Sequence, residues 1–250
     1  MYDQSILLHH LAPLRGLLDA PEVTELVINR PGEVGVEGSG GWQWADCPQL
    51  SVPWLETLAN AMANFTKQKV SASMPICSTS LPTGERVQIV APPACDLGLY
   101  SITIRKPSSR TFGLGELEAG GLFSQTREAR GRHSDADEAL LALKRDGKWA
   151  AFLEMAVTAR KNILISGATG SGKTTLSKAL IQLIPAGERL LTIEDTRELV
   201  VPHRNAVHLL YSKDGQGQAQ VGAKALLEAS LRMRPDRILL QELRDGTAFF

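Results

Sequence analysis

The stretch at 163–175, ILISGATGSGKTT, constrains this chain more than any other. Ile163, Leu164 and Ile165 form a short apolar run that predicts a strand buried on both faces, and glycines at 167, 170 and 172 lead into a helix-forming segment. The order is strand, glycine loop, helix. The loop fits G-x-x-x-x-G-K-[ST] through Gly167, Gly172, Lys173 and Thr174. Glycines lack Cβ, so such a backbone can turn its N–H groups onto a polyphosphate at the N-terminus of the following helix. Gly167, Ala168, Thr169, Gly170, Ser171, Gly172, Lys173, Thr174 and Thr175 are thus the expected phosphate cradle. Lys173 would reach the β- and γ-phosphates, and the Thr174 hydroxyl would bind Mg²⁺. Leu176, Ala179, Leu180, Leu183 and Ile184 fall on one face of the helix that follows. The motif predicts a nucleoside triphosphate ligand.

At 250 residues the chain can bury one large core or two modest ones, and the late position of the glycine loop predicts a separate N-terminal domain. Lys plus Arg and Asp plus Glu both number 27, so net charge gives no case for a nucleic-acid or anionic-membrane partner, and no direct nucleic-acid binding is expected. Cys47, Cys77 and Cys95 lie far apart with no C-x-x-C pair, which fits a reducing cytosol and idle thiols without structural zinc. The first residues, MYDQSILLHHLAPLRGLL, lack the basic flank and cleavage site of a secretory leader. No apolar run approaches ~18 residues, so a soluble chain with at most a peripheral membrane role is expected.

Along the chain, Leu7, Leu11, Leu14, Leu17 and Leu18 keep near-helical spacing that Pro13 must interrupt. VTELVIN, EVGVE and WQW read as strands, and Leu55, Leu58, Met62 and Phe65 mark an amphipathic helix. Trp42, Trp44 and Trp54 read as packing residues, since no Lys or Arg interleaves them as in a base-stacking platform. In GERVQIV and YSITIR, period-two alternation puts Val87, Ile89, Ile102 and Ile104 on apolar faces, so Arg86 and Arg105 fall on the opposite, polar faces. If the two strands pair, both guanidiniums leave the same side. The stretch at 107–148 reads as an interdomain linker with short helical pieces, in which His133 is solvated. The expected organisation is an N-terminal α+β domain at 1–106, that linker, and a P-loop domain at 149–250 whose alternating strands and helices make an α/β fold with a mostly parallel sheet.

Phosphoryl transfer to water needs carboxylates at the carboxyl end of such a sheet. Glu194 and Asp195 directly follow the run at 190–193, and Glu242 follows the run at 238–241. Asp236 lies at the other end of its strand, about 20 Å from Glu242 at ~3.3 Å per residue, and reads as a strand-entry turn. Ala223, Leu227 and Leu231 predict the packing side of a helix, and Arg232, Arg234, Arg237 and Arg244 form a basic cluster that the sequence does not sort.

Taken together, GATGSGKTT, TIEDTREL and LRMRPDRILLQELRD resemble the type IV secretion traffic ATPases, the compact branch of the secretion ATPase superfamily. VTELVINRPGEV, GERVQIVAPPA and SITIRKPS resemble that branch as well, so the likeness covers nearly the whole chain. The resemblance implies a RecA-like P-loop ATPase domain behind a smaller α+β domain. It also implies a homo-hexameric ring using ATP and Mg²⁺ at the cytoplasmic face of a bacterial inner membrane, with secretion-channel components as partners. TIEDTREL looks like the family's Asp box, with Glu194 as the water-orienting acid. RILLQE looks like its Walker B segment, with Glu242 near Mg²⁺, and Arg86 and Arg105 match arginines that reach the nucleotide phosphates.

Two departures accompany the resemblance. A glycine common before the Walker B glutamate stands here as Gln241, and the family's His box, a Gly-His segment and threonine-rich strand, is not supplied by His9, His10, His133, His203 or His208. The apolar close at Phe250 suggests a truncated chain that binds ATP without turnover. Two rivals follow: a non-hydrolytic nucleotide-binding assembly subunit, and a motor of a type II secretion or type IV pilus system. The absence of a four-cysteine zinc insert and the presence of INRPGEV speak against the second.

Overall fold

The structure, a computed structural model, describes residues 5–108, 111–126, 134–212 and 217–242. His133 and Arg244 lie outside the described residues. The chain divides into two compact units, one of Met1–Pro107 with Ala186–Phe250 and one of Ser108–Pro185.

The first unit opens with α1 (Ser5–Leu11), a 3-10 turn at Ala12–Leu14 and α2 (Arg15–Asp19). Pro13 has no N–H to continue the helical ladder, and the chain tightens into the 3-10 turn there. Strands β1 (Glu25–Ile28), β2 (Glu33–Gly38) and β3 (Gly41–Asp46) precede α3 (Val52–Phe65), and β4 (Ile76–Ser80), β5 (Arg86–Val90) and β6 (Ser101–Arg105) follow it. All six strands pair antiparallel in the order β3-β2-β1-β6-β5-β4. The expected stripe of α3 buries Leu55, Leu58 and Met62 against Leu26, Ile28, Ile89, Ile102 and Ile104, and α1 adds Leu7 and Leu11. Trp54 packs against this core and donates Nε1–H to the His10 carbonyl at 3.1 Å, so it is a packing residue.

The second unit holds α4 (Leu114–Ala119), α5 (Asp135–Arg145), α6 (Trp149–Thr158) and α7 (Lys173–Ile181). Ser134 starts α5 with a reciprocal cap, its hydroxyl accepting from the Asp137 N–H while the Asp137 carboxylate accepts from the Ser134 N–H. Lys161 closes the far side with an ion pair to Asp137 at 2.6 Å. The expected buried strand at 163–165 is not formed, and Leu164 is 78% exposed. A strand buries its backbone only against a ladder partner, and Ser108–Pro185 contains no other strand among the described residues. The face expected for α7 is also partial: Leu180 and Ile184 are buried, while Leu176 and Leu183 are more than a third exposed.

The chain then returns to the first unit with β7 (Leu190–Glu194), β8 (Ala206–Leu210), α8 (Ala223–Ser230) and β9 (Arg237–Leu240). The strands form a parallel sheet in the order β8-β7-β9, and β7, in the middle, is buried from end to end. Leu191, Ile193 and Leu209 share a core with Val90, Ala94 and Cys95. The face of β5 and β6 opposite the helices is therefore not a solvated polar face: Gln88, Ser101 and Thr103 on it are buried, and only Arg86 and Arg105 at its end are exposed. On α8 the buried residues are Leu226, Ala229 and Ser230, whereas Leu231, expected on the packing side, is 69% exposed. Leu231 keeps helical dihedrals, but the buried face is centred on Leu226, Ala229 and Ser230, and the row of Ala223, Leu227 and Leu231 lies beside it, with Ala223 and Leu227 only partly buried. The loop before β6 runs along the outer side of β8, where the Leu210 N–H donates to the Ala94 carbonyl at 2.9 Å and Cys95 bridges Leu209.

Arg189, just before β7, is fully buried where the two sheets meet. Its Nε–H donates to the Met233 carbonyl at 2.8 Å, and its terminal nitrogens donate to Asn29 Oδ1 at 2.8 Å, Asn205 Oδ1 at 2.5 Å and Thr103 Oγ1 at 3.3 Å. The Trp42 ring lies 5.9 Å from its guanidinium. Burial pushes the guanidinium pKa down against the pull of Glu25, Asp236 and Glu37, yet arginine stays protonated, and these hydrogen bonds go to neutral acceptors. Removing it strands several buried acceptors at once. Arg189→Met is expected to destabilise the chain by about 3 kcal/mol or more, read as a lower urea midpoint with an unchanged denaturant slope.

Candidate functional site

In the Ser108–Pro185 unit, Gly172 sits at φ 88° as the N-cap of α7, and Gly170 at φ 77° turns the loop just before it. Both are conformations that a side chain disfavours. A Cβ on Gly167 would meet Ser171 Oγ at 2.6 Å, so a side chain there must displace that hydroxyl. The result is a tight loop delivered onto the open N–H groups of a nine-residue helix, with the partial positive end of its dipole behind them. The Lys173 ammonium folds over this loop and donates to the carbonyls of Gly167 at 2.8 Å and Ala168 at 2.9 Å. Thr174 and Thr175 continue the first turn of α7.

The acids lie in the other unit. Glu194 ends β7 and is fully buried, not a solvated loop acid. Its Oε1 accepts from the Thr192 hydroxyl at 2.7 Å and lies 3.2 Å from His208 Nδ1, while its Oε2 accepts the N–H groups of Glu198 at 2.7 Å and Leu199 at 2.9 Å. Burial pushes the carboxyl pKa up, but the bonds from His208, the Leu199 N–H, Thr192 and the Glu198 N–H outweigh it and hold the group at about 2. One strand over, the Gln241 N–H donates to the Ile193 carbonyl at 3.1 Å and extends the parallel ladder past β9 to Glu242. The Gln241 side chain crosses to the loop after β7, where Nε2 donates to Glu198 Oε2 at 2.7 Å. Glu194 and Glu242 thus leave the carboxyl ends of neighbouring strands, as their positions in the sequence predict. Asp236 stands at the opposite end of β9, accepting the Arg189 N–H at 2.8 Å, which fits a strand-entry role.

Arg86 and Arg105 stand directly opposite each other on β5 and β6, so their side chains share one face. They line a cleft of about 470 Å³ together with Glu25, Arg232 and Arg234. Within the basic cluster, Arg234 ion-pairs with Glu37 and with Asp236, and Arg237 with Glu188. Arg232 donates to the Glu228 carbonyl at 3.2 Å and reaches the cleft. Among the described residues, no group of three or more His, Cys, Asp or Glu side chains could hold a metal alone.

Sequence reasoning missed Glu25, whose register opposite Arg105 puts a carboxylate beneath the paired arginines. Its signal was an acid opening an otherwise apolar strand. The Glu25 carboxyl is raised from 4.5 to about 7, chiefly by burial, against the pull of Arg105 and with a further push from Glu37. A raised carboxyl contributes stability that is complete below about pH 4.5 and is lost as pH rises through about 7. Glu25→Gln is expected to remove that slope, gaining on the order of 2 kcal/mol over the parent at pH 8 relative to pH 4.5, measured by denaturant unfolding at both pH values.

The model of the type II/IV secretion system protein family matches residues 50–249. The type IV secretion system protein VirB11 of Bartonella quintana is 51% identical over 98% of this chain and 72% of its own length, and VirB11 of Brucella suis is 46% identical over 96% and 67%. The crystal structure of the Brucella suis VirB11 ATPase in complex with sulphate superposes with a TM-score of 0.91 at 46% identity, covering 97% of this chain and 73% of that one. The fold class is the expected α/β one, a RecA-like P-loop domain preceded by an α+β domain. With a family model and close relatives both spanning most of its length, the chain belongs to the type II/IV secretion system protein family, in its VirB11 branch.

Proposed function

We propose that this secretion ATPase binds ATP on the loop at 167–175 and hydrolyses it as one protomer of a homo-hexameric motor that energises type IV secretion. The observation that carries the reading is a glycine loop matching G-x-x-x-x-G-K-[ST], left-handed at Gly170 and Gly172, at the N-terminus of α7. Gly167, Gly170 and Gly172 let the backbone N–H groups approach the phosphates, and Lys173 exchanges its loop carbonyls for phosphate oxygens. The Thr174 hydroxyl and the Glu242 carboxylate, hard oxygen donors of the kind Mg²⁺ takes, would hold that ion, directly or through water. Mg²⁺, when bound, supplies positive charge against the phosphate oxygens.

Glu194 stays ionised at neutral pH, and its oxygens already take donors from the protein. It acts on the attacking water through the loop at 195–199 that it holds. Arg86 and Arg105 contribute cationic charge toward the phosphoryl oxygens as negative charge builds on them. The domain organisation we propose for the motor is 1–106, 107–148 and 149–250. The ring would dock on the cytoplasmic face of the bacterial inner membrane against channel components; among the described residues no helix is long and apolar enough to cross a membrane.

Lys173→Ala is expected to reduce steady-state ATP hydrolysis at least 100-fold and to weaken ATP binding, measured by phosphate release and by equilibrium titration. Hydrolysis at the parental rate by that variant would sink the assignment.

A further inference from the structure

The geometry points to Gln241 as a positioning residue: through Glu198 it clamps the loop after β7 to the end of β9 and so fixes where Glu242 sits. The two strand ends are joined twice. The backbone of Gln241 bonds to Ile193 at 3.1 Å, and its side chain bonds to Glu198 at 2.7 Å. Glu198 is itself anchored, because its N–H and that of Leu199 are gripped by Glu194 Oε2 from the buried end of β7. A continuous path therefore runs from Glu194 through the backbone and side chain of Glu198 to the Gln241 amide and into the next residue, Glu242.

The amide has one usable orientation. Glu198 as a carboxylate only accepts, so the NH₂ end of Gln241 must face it, and flipping the group would set a carbonyl against a carboxylate. A glycine at 241 would keep the backbone bond and lose the clamp. The loop would then be tied only by its hold on Glu194, and Glu242 would keep only the backbone bond of residue 241 as its link to the neighbouring strand end. The inference deepens the hydrolytic reading and rests on it only for the role of Glu242; the clamp itself stands on the hydrogen bonds.

The test uses the full chain and four variants: Gln241→Ala, Gln241→Glu, Glu198→Gln, and the reciprocal pair Glu198→Gln with Gln241→Glu. The pair rebuilds the same bond with its polarity reversed, from a glutamine amide at 198 to a carboxylate at 241. Amide hydrogen exchange at 198 and 199 is the first readout, and it is independent of turnover. Exchange should speed up about fivefold in Gln241→Ala and further in Gln241→Glu, where two carboxylates face each other, and return to the parental rate in the pair. ATP hydrolysis is the second readout: kcat should fall about fivefold in Gln241→Glu with ATP affinity unchanged, and recover in the pair.

Unchanged exchange in Gln241→Glu, or no rescue in the pair, would overturn the clamp whatever the turnover. Altered and rescued exchange with an unmoved kcat would overturn the positioning of Glu242 while leaving the contact. Lys173→Ala, run alongside, reports on the hydrolytic reading separately.

Discussion

A buried guanidinium held by neutral hydrogen-bond acceptors is the constraint on which the larger unit depends. Arg189 holds the end of β1 through Asn29, β6 through Thr103, the entry to β8 through Asn205 and the turn before β9 through the Met233 carbonyl. Each acceptor is neutral, so the charge is spread over oriented dipoles, and displacement of any one element leaves a buried donor unmatched. Apolar contact among Val90, Cys95, Leu191 and Ile193 supplies the area for the two sheets to pack, and Arg189 supplies the register.

Two of the buried acids, Glu25 and Glu194, show how placement sorts residues of the same type. Glu25 is withdrawn from water and pushed toward neutrality, because burial outweighs the pull of Arg105, Arg234 and Arg189; Glu194 is withdrawn further but meets donors on both oxygens and stays an anion. Desolvation acts on both, and the count of inward-facing donors decides the outcome. A strand end followed by a turn offers such donors in its backbone N–H groups, as Glu198 and Leu199 do for Glu194.

Much of this was legible in the sequence. The glycine loop, the helix stripe at 55–65, the break at Pro13 and the common face of Arg86 and Arg105 follow from local rules of backbone and periodicity. The sequence did not reveal the paths that cross between distant segments. Arg189 reads as one more charged residue before an apolar strand, and the reach of Gln241 to Glu198 depends on parallel pairing of β7 with β9. The strand expected at 163–165 shows the converse, since an apolar run states a preference and a ladder partner must satisfy it.

The loop laid along β8 has a consequence for how the protein meets other chains. An outermost strand exposes alternate amide and carbonyl groups that any passing extended segment can copy, and a sheet of only three strands has little else to protect it. By giving Leu210 an acceptor at Ala94 and setting Cys95 against Leu209, the N-terminal region occupies that template with its own backbone. The Cys95 thiol, pushed up to about 12 mainly by burial, stays protonated there and does not invite disulfide exchange. The end of β8 at Leu209 and Leu210 is thereby closed to addition of a strand from a neighbouring molecule.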